Sequence, residues 1–195
     1  MCNDYRYRLP LERLIDEFAH LRIPLRFPAG RPNIESRDDI RITDRAAVVL
    51  GDGEGGALEL MRWSWPGPSG KPVYNFRSEG RRFAAGRCLI PCDGFYEFTT
   101  PTNPKQKRKD KWLITLAGCD LFAIAGCWRA AAASGESAWS MLTCPPGPDV
   151  APYHDRQPVV LPPERWAAWL SHQPNEADLL QPLPKGALVV EQVVN

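Results

Sequence analysis

Leu11, Leu14, Ile15, Phe18 and Leu21 recur at helical spacing, and Pro10 suits a first turn, so residues 10–21 are predicted to form an amphipathic helix. Residues 22–45 are rich in Pro, Arg and Asp with little periodicity, and read as a long ordered loop. From residue 46 the pattern changes to short apolar or alternating runs separated by Gly, Pro and Asp. Strands are predicted over 46–50, 57–65, 72–77, 87–91, 95–99, 112–116, 121–128, 138–144, 158–161 and 187–194. Asp93-Gly94, between two of these, is a hairpin signal. Ser78 is predicted to cap a short helix ended by Gly86, and a second helix spans 163–170 with Trp166 and Trp169 on it. Residues 100–111 form a polar hairpin loop bearing Lys105, Lys107, Arg108, Lys109 and Lys111. Residues 130–133 form a loop or helical turn, and 145–157 a loop carrying a histidine. No internal repeat and no second domain are visible. Residues 1–195 therefore read as a single α+β domain, a mainly antiparallel, curved or barrel-like sheet with a few flanking helices.

A hydrophobic fraction of 44% supplies a sizeable core, and the net charge of +1 leaves no global basic footprint for coating nucleic acid. Arginine does cluster locally at Arg77, Arg81, Arg82 and Arg87, either as phosphate forks or as solvated surface charge. No apolar run is long enough to span a membrane, and Asp4, Arg6 and Arg8 interrupt any signal-peptide pattern, so the expected location is the cytoplasm. Of the six cysteines none forms a C-x-x-C pair, and no histidine stands at zinc-finger spacing, so no metal is expected. Five of them sit in apolar stretches as small core residues, reduced in a cytosolic protein. With no G-x-G-x-x-G and no P-loop, no cofactor is expected either.

Cys2 is the exception. A small residue after the initiator methionine permits removal of Met1, leaving an α-amine and a thiol on adjacent carbons, with ordinary pKa values of about 8 and about 8.5. An aldehyde is their natural partner: the amine forms an imine and the thiol closes a five-membered thiazolidine. The plain alternative is an inert residue in a frayed terminus. In an extended Tyr74-Asn75-Phe76-Arg77, Tyr74 and Phe76 face one side, taken as the core, and Asn75 and Arg77 the other. An amide beside a guanidinium suits a phosphate or sugar, and equally describes a solvent-facing strand. Glu97, flanked by Tyr96 and Phe98, is either a desolvated carboxyl with a raised pKa or a strand-edge glutamate. His154 lies at the mouth of the strand at 158–161, where a histidine can move protons, with Arg156 in reach of a phosphate. His20 and His172 have weaker settings. Trp63 and Trp65, two apart on one strand, share a face that either stacks on bases or packs in the core.

Six separated segments, in order, resemble the SOS-response-associated peptidase family, the SRAP domain. They are Met1-Cys2, Trp63 after Met61-Arg62, Asn75-Phe76-Arg77-Ser78-Glu79, Arg87-Cys88-Leu89-Ile90-Pro91, Asp93-Gly94-Phe95-Tyr96-Glu97 and His154-Asp155-Arg156-Gln157-Pro158-Val159. The resemblance implies a sensor of abasic sites in single-stranded DNA that forms a covalent DNA–protein cross-link and processes its own first methionine. It implies Cys2 as nucleophile, Asn75, Glu97 and His154 as catalytic partners, and Arg77 and Arg156 on the DNA backbone, with Trp63 and Asn33 as further DNA contacts. Three departures stand out. Asp4 occupies a position where the family commonly carries arginine; Asn33-Ile34-Glu35-Ser36 replaces the usual Asn-Ile-Ala-Pro; and Gln157 stands where methionine is common. The expected partner is single-stranded DNA containing abasic sites, and the expected state is a monomer. Two other readings stay open: a cysteine peptidase acting on proteins, and a non-covalent single-strand binding module.

Overall fold

The structure, a computed structural model, describes residues 2–51, 54–101, 105–130, 135–171 and 176–193. Their strands are β1 (Asp4–Tyr7), β2 (Leu25–Arg26), β3 (Arg37–Arg41), β4 (Arg45–Gly51), β5 (Gly56–Trp63), β6 (Trp65–Pro66), β7 (Pro72–Val73) and β8 (Asn75–Arg77). There follow β9 (Arg87–Cys92), β10 (Gly94–Thr99), β11 (Asp110–Leu116), β12 (Phe122–Arg129), β13 (Ala138–Cys144), β14 (Gln157–Pro158), β15 (Val160–Leu161) and β16 (Leu188–Val193). The helices are α1 (Leu11–His20), α2 (Trp166–Leu170) and α3 (Glu176–Leu179), with a 3₁₀ turn over Pro163–Arg165 before α2.

The α+β expectation holds, and the barrel-like part has a specific origin. One sheet runs β14-β13-β12-β9-β4-β5-β2, and β13 pairs again with β5 in parallel at Ala138↔Arg62 and Trp139↔Trp63. That pairing closes the strands β13, β12, β9, β4 and β5 into a ring, which leaves those strands no open edge. A second sheet, ordered β16-β11-β10-β1-β3, packs against it. The core is aromatic: Trp63 and Trp139 stack with centroids 5.2 Å apart, and Tyr5 sets its edge against both. The four fully buried tryptophans donate to backbone carbonyls, Trp63 to Tyr74, Trp139 to Met61, Trp166 to Leu161 and Trp169 to Cys88. Helix α1 buries Leu11, Leu14 and Phe18; it ends where Arg22 turns to φ 57 and Ile23 N–H bonds back to Phe18 O.

Several sequence expectations are corrected. Asp93-Gly94 makes no hairpin: β9 pairs with β4 and β12, and β10 with β1 and β11, so the dipeptide passes the chain from one sheet to the other. The Asp93 carboxylate fixes that crossing by accepting from Arg6 Nε at 2.8 Å and Arg8 N at 3.1 Å. The stretch from Ser78 to Gly86 is irregular rather than helical, because the Ser78 hydroxyl donates to Thr143 O instead of capping a turn. The loop 22–45 contains β2 and β3, and β1 and α3 were not foreseen. The strand predicted over 57–65 breaks at Ser64, which has φ 85. Residues 102–104 of the polar loop, 131–133 of the alanine patch, His172 and Val194 lie outside the described residues.

Candidate active site

Strands of both sheets bring the cluster together. Cys2 enters β1, whose antiparallel register Tyr5↔Phe95 carries the first residues of the chain towards Glu97 on β10. Strand β8 lies parallel to β13 with Met141↔Asn75 and Thr143↔Arg77, and presents Asn75 to the same place. Asn75 Nδ2 donates to Cys2 O at 2.7 Å, and Cys2 Sγ donates to Asp4 O at 3.3 Å. The main chain on both sides of the Cys2 side chain is thereby held. Asn75 Oδ1 is buried and accepts no hydrogen bond among the described residues, so one acceptor at the site is unused.

Glu97 is 2% exposed, so the desolvated reading of this residue is correct and the strand-edge one is not. Burial raises its carboxyl to about 7, and the charge of Asp155 adds to the effect. A carboxyl titrating there can both give and take a proton near neutrality. His154 Nε2 stands 3.9 Å from Glu97 Oε2. The histidine is held from behind, where its Nδ1 accepts the backbone N–H of Arg156 at 2.9 Å. Asp155 Oδ1 also lies 2.9 Å from Nδ1, but that side chain is 89% exposed and can swing away, whereas the Arg156 amide is fixed. Nδ1 is thus the acceptor, and the proton sits on Nε2, towards Glu97. Burial lowers the His154 pKa, which keeps the ring neutral. The loop bearing it docks through Tyr153 onto Trp112, with ring centroids 4.6 Å apart, and Trp112 is the cross-strand partner of Glu97.

The Cys2 thiol is 1% exposed; burial pushes its pKa far up, and the Glu97 charge pushes the same way. It is therefore a thiol and not a thiolate. Next to it, Asp4 is buried and shares Lys111 with Asp39: Lys111 Nζ lies 3.2 Å from Asp4 Oδ2, bonds Asp39, and sits 3.7 Å above the Tyr96 ring. A cleft of about 560 Å³ opens here, lined by Asn3, Asp4, Arg41, Ile42, Glu97, Phe98 and Lys109.

The remaining sequence candidates fare differently. Arg77 is exposed on β8. Arg156 is largely buried and engaged: it pairs with both carboxylate oxygens of Glu79 and donates to Thr143 O at 2.8 Å. That pairing holds the Glu79 carboxyl down at about 2. Arg87 belongs to the core, where its Nε donates to Phe83 O and its guanidinium covers Trp169, so it is no surface phosphate fork. Trp63 is 0% exposed and offers no face for stacking. The left-handed Ser64 flips the chain between the two tryptophans, so Trp63 turns inward and Trp65 outward. Asn33 is exposed at a separate cavity of about 150 Å³ beside Tyr7 and Arg37, and it shares no lining residue with the Glu97 cleft.

Sequence reasoning missed a half-exposed ladder beside β8. Arg129 lies 4.7 Å over Trp65, Trp65 is 6.2 Å from Phe76, and Arg81 lies 4.6 Å over Phe76. Phe76 is half-buried: it packs against the core, as its place on the strand predicts, and also joins this ladder. No local pattern in the sequence links Trp65, Phe76, Arg81 and Arg129, which are joined only by the fold.

Comparison with known proteins places this geometry. The profile of the SOS response associated peptidase (SRAP) family matches residues 1–195. The chain belongs to this family. Among similar proteins, the abasic site processing protein YobE of Bacillus subtilis (strain 168) is 29% identical, across 94% of this chain and 88% of its own. YoaM of the same organism, likewise named an abasic site processing protein, is 26% identical over 94% and 85% of the two chains. A solved structure from Bordetella bronchiseptica superposes with a TM-score of 0.73 at 24% identity over the whole of both chains. One from Bacteroides thetaiotaomicron gives 0.73 at 13% identity over 100% and 93%. These two likenesses establish that the fold is shared. No helix of the described residues is long and apolar enough to cross a membrane.

Proposed function

We propose that this SRAP protein captures the aldehyde of an abasic site in single-stranded DNA as a thiazolidine on Cys2, after loss of Met1. One observation carries the reading: Asn75 holds the Cys2 carbonyl at 2.7 Å while the Glu97–His154 pair stands beside the same residue.

The steps follow from the protonation states. The Cys2 amine adds to C1′ of the ring-opened sugar and forms a carbinolamine. Protonated Glu97 gives its proton to the departing hydroxyl, water leaves, and the imine forms. The thiol then adds sulfur to the carbon of the protonated imine, and its proton passes to the Glu97 carboxylate, which restores the acid and leaves a neutral ring nitrogen. One water is lost overall. Neutral His154 carries its one N–H on the Glu97 side, 3.9 Å from that carboxyl and not bonded to it, and in the complex it donates this N–H to the sugar oxygen to assist ring opening. Asn75 Oδ1 is the acceptor available to orient the amine. The raised thiol pKa fits a sequence in which the amine attacks first, and it runs against a peptidase that needs a thiolate at rest.

The strand runs over exposed Arg77, and the Trp65–Phe76 face takes over the stacking role that buried Trp63 cannot fill. Arg156 acts here by holding Glu79 and the His154 loop in place. Incubation with a single-stranded oligonucleotide bearing one abasic site, followed by denaturing electrophoresis, tests the reading. A heat-stable adduct with wild type and none with Cys2→Ala is the expected result; equal adduct from both overturns it. Acetylating the α-amine separates this chemistry from proteolysis, which needs only the sulfur.

A further inference from the structure

Of the groups assigned to the capture chemistry, only Glu97 lines the cleft of about 560 Å³ beside β1; Asn75, Arg77 and Arg156 do not. Its wall is the start of β1, its far rim is Arg41 at the end of β3, and Lys109 overhangs it from the approach to β11. Its volume falls inside the range of roughly 300–1,000 Å³ typical of ligand sites.

The charges sort into floor and rim. On the floor, the carboxylates of Asp4 and Asp39 converge on Lys111, which is 16% exposed and bonded to both. On the rim, the Arg41 guanidinium is 67% exposed and only loosely placed, 3.8 Å from Asp4 and 3.6 Å from Asp39. Lys109 is exposed and makes no ion pair among the described residues, yet its charge reaches His154 and lowers the pKa of that ring. The floor acids already have a cation between them. The two rim cations line the same cleft as Glu97. Phe98, half-buried in the same cleft, adds an apolar surface.

We infer that Arg41 and Lys109 form a phosphodiester subsite that takes the nucleotide on the side of the captured sugar not served by Arg77. The inference rests on the single-strand reading above and adds to it a second anchor, which makes the strand bracket Cys2 rather than end there. It also accounts for Asp4: Asp4 and Asp39 share Lys111 on the floor, and the anion site moves outward to the rim cations.

The experiment measures equilibrium binding of an abasic and of an intact single strand by fluorescence anisotropy across a salt series, together with cross-linking rates at subsaturating DNA. Wild type is compared with Arg41→Ala/Lys109→Ala and with the charge-keeping Arg41→Lys/Lys109→Arg. The alanine pair should weaken binding about tenfold, and its log K against log salt should flatten by about 0.7 for each phosphate that is no longer neutralised. The charge-keeping pair should restore most of both. A methylphosphonate placed at one flanking linkage should weaken wild type and leave the alanine pair unchanged, whereas the same substitution on the other flank should weaken both. An unchanged salt slope in the alanine pair, or a methylphosphonate effect equal in all proteins on both flanks, overturns the subsite. Inorganic phosphate competing as well as the oligonucleotide also overturns it, since that is a free-anion site. If wild type forms no cross-link at all, the covalent reading fails, and the salt slopes still decide the subsite.

Discussion

Burying Glu97 sets both its chemistry and a cost to the fold. Its carboxyl rises from 4.5 to about 7, so the folded chain holds that proton more tightly than the unfolded one. The stability this contributes is complete below the unfolded value and is lost as pH climbs towards about 7. Glu97→Gln should therefore be more stable than wild type at about pH 8, by on the order of 3 kcal/mol, and indistinguishable from it at about pH 4. Urea titrations at the two pH values check this. The same variant should cross-link about a hundredfold more slowly and lose the inflection near pH 7 in the rate profile. A stabilising substitution that removes activity marks a residue kept for chemistry. Lys111 has the opposite character. Lys111→Met leaves the Asp4 and Asp39 carboxylates facing one another without their shared cation, and should destabilise by about 2 kcal/mol, with Asp4→Asn recovering part of the loss in the double variant.

At the scale of elements, the contrast between Trp63 and Trp65 is the sharpest. Trp63→Ala empties a stacked core site and should cost about 4 kcal/mol in urea unfolding. Trp65→Ala should leave the unfolding midpoint near that of wild type and weaken single-strand binding by roughly 1–3 kcal/mol, read by anisotropy. The loop after β13 supplies a second case. Tyr153→Ala removes the ring that seats this loop on Trp112 and should slow cross-linking several-fold with less than about a twofold change in DNA affinity. How far such behaviour was legible in the chain depends on the kind of signal. The periodicity of α1 and the apolar runs of β4, β12 and β13 are local, and the elements appear close to where the runs lie. Asp93-Gly94 misleads because a turn dipeptide does not say which sheet its two strands join. Ser64 misleads because a single left-handed serine reverses the alternation on which the shared tryptophan face relied.

The whole molecule closes a five-strand ring and hangs the first residues of the chain on the sheet packed against it. The class of fold was readable because many short strands with few helices leave little else. The closure was not, since β13 meets β5 in parallel from far along the chain, at only two register positions. Four candidate residues, Cys2, Asn75, Glu97 and His154, do meet; their chemistry types named them and the sheet pairing unites them. Packing in the ring tolerates no extra atom at Gly126, where a Cβ would stand 2.8 Å from Cys88 Sγ and from Ile90 Cδ1. Gly126→Val should lower the urea midpoint, by about 1–3 kcal/mol in stability. The central claim concerns the first two atoms that react, and intact-mass measurement of the protein after incubation with an abasic single strand reads them directly. A species lacking Met1 and heavier by the oligonucleotide less one water, absent from Cys2→Ala and from protein with one residue inserted before Cys2, is the predicted result. An adduct of the same mass shift on the chain that retains Met1, or on Cys2→Ala, would contradict it.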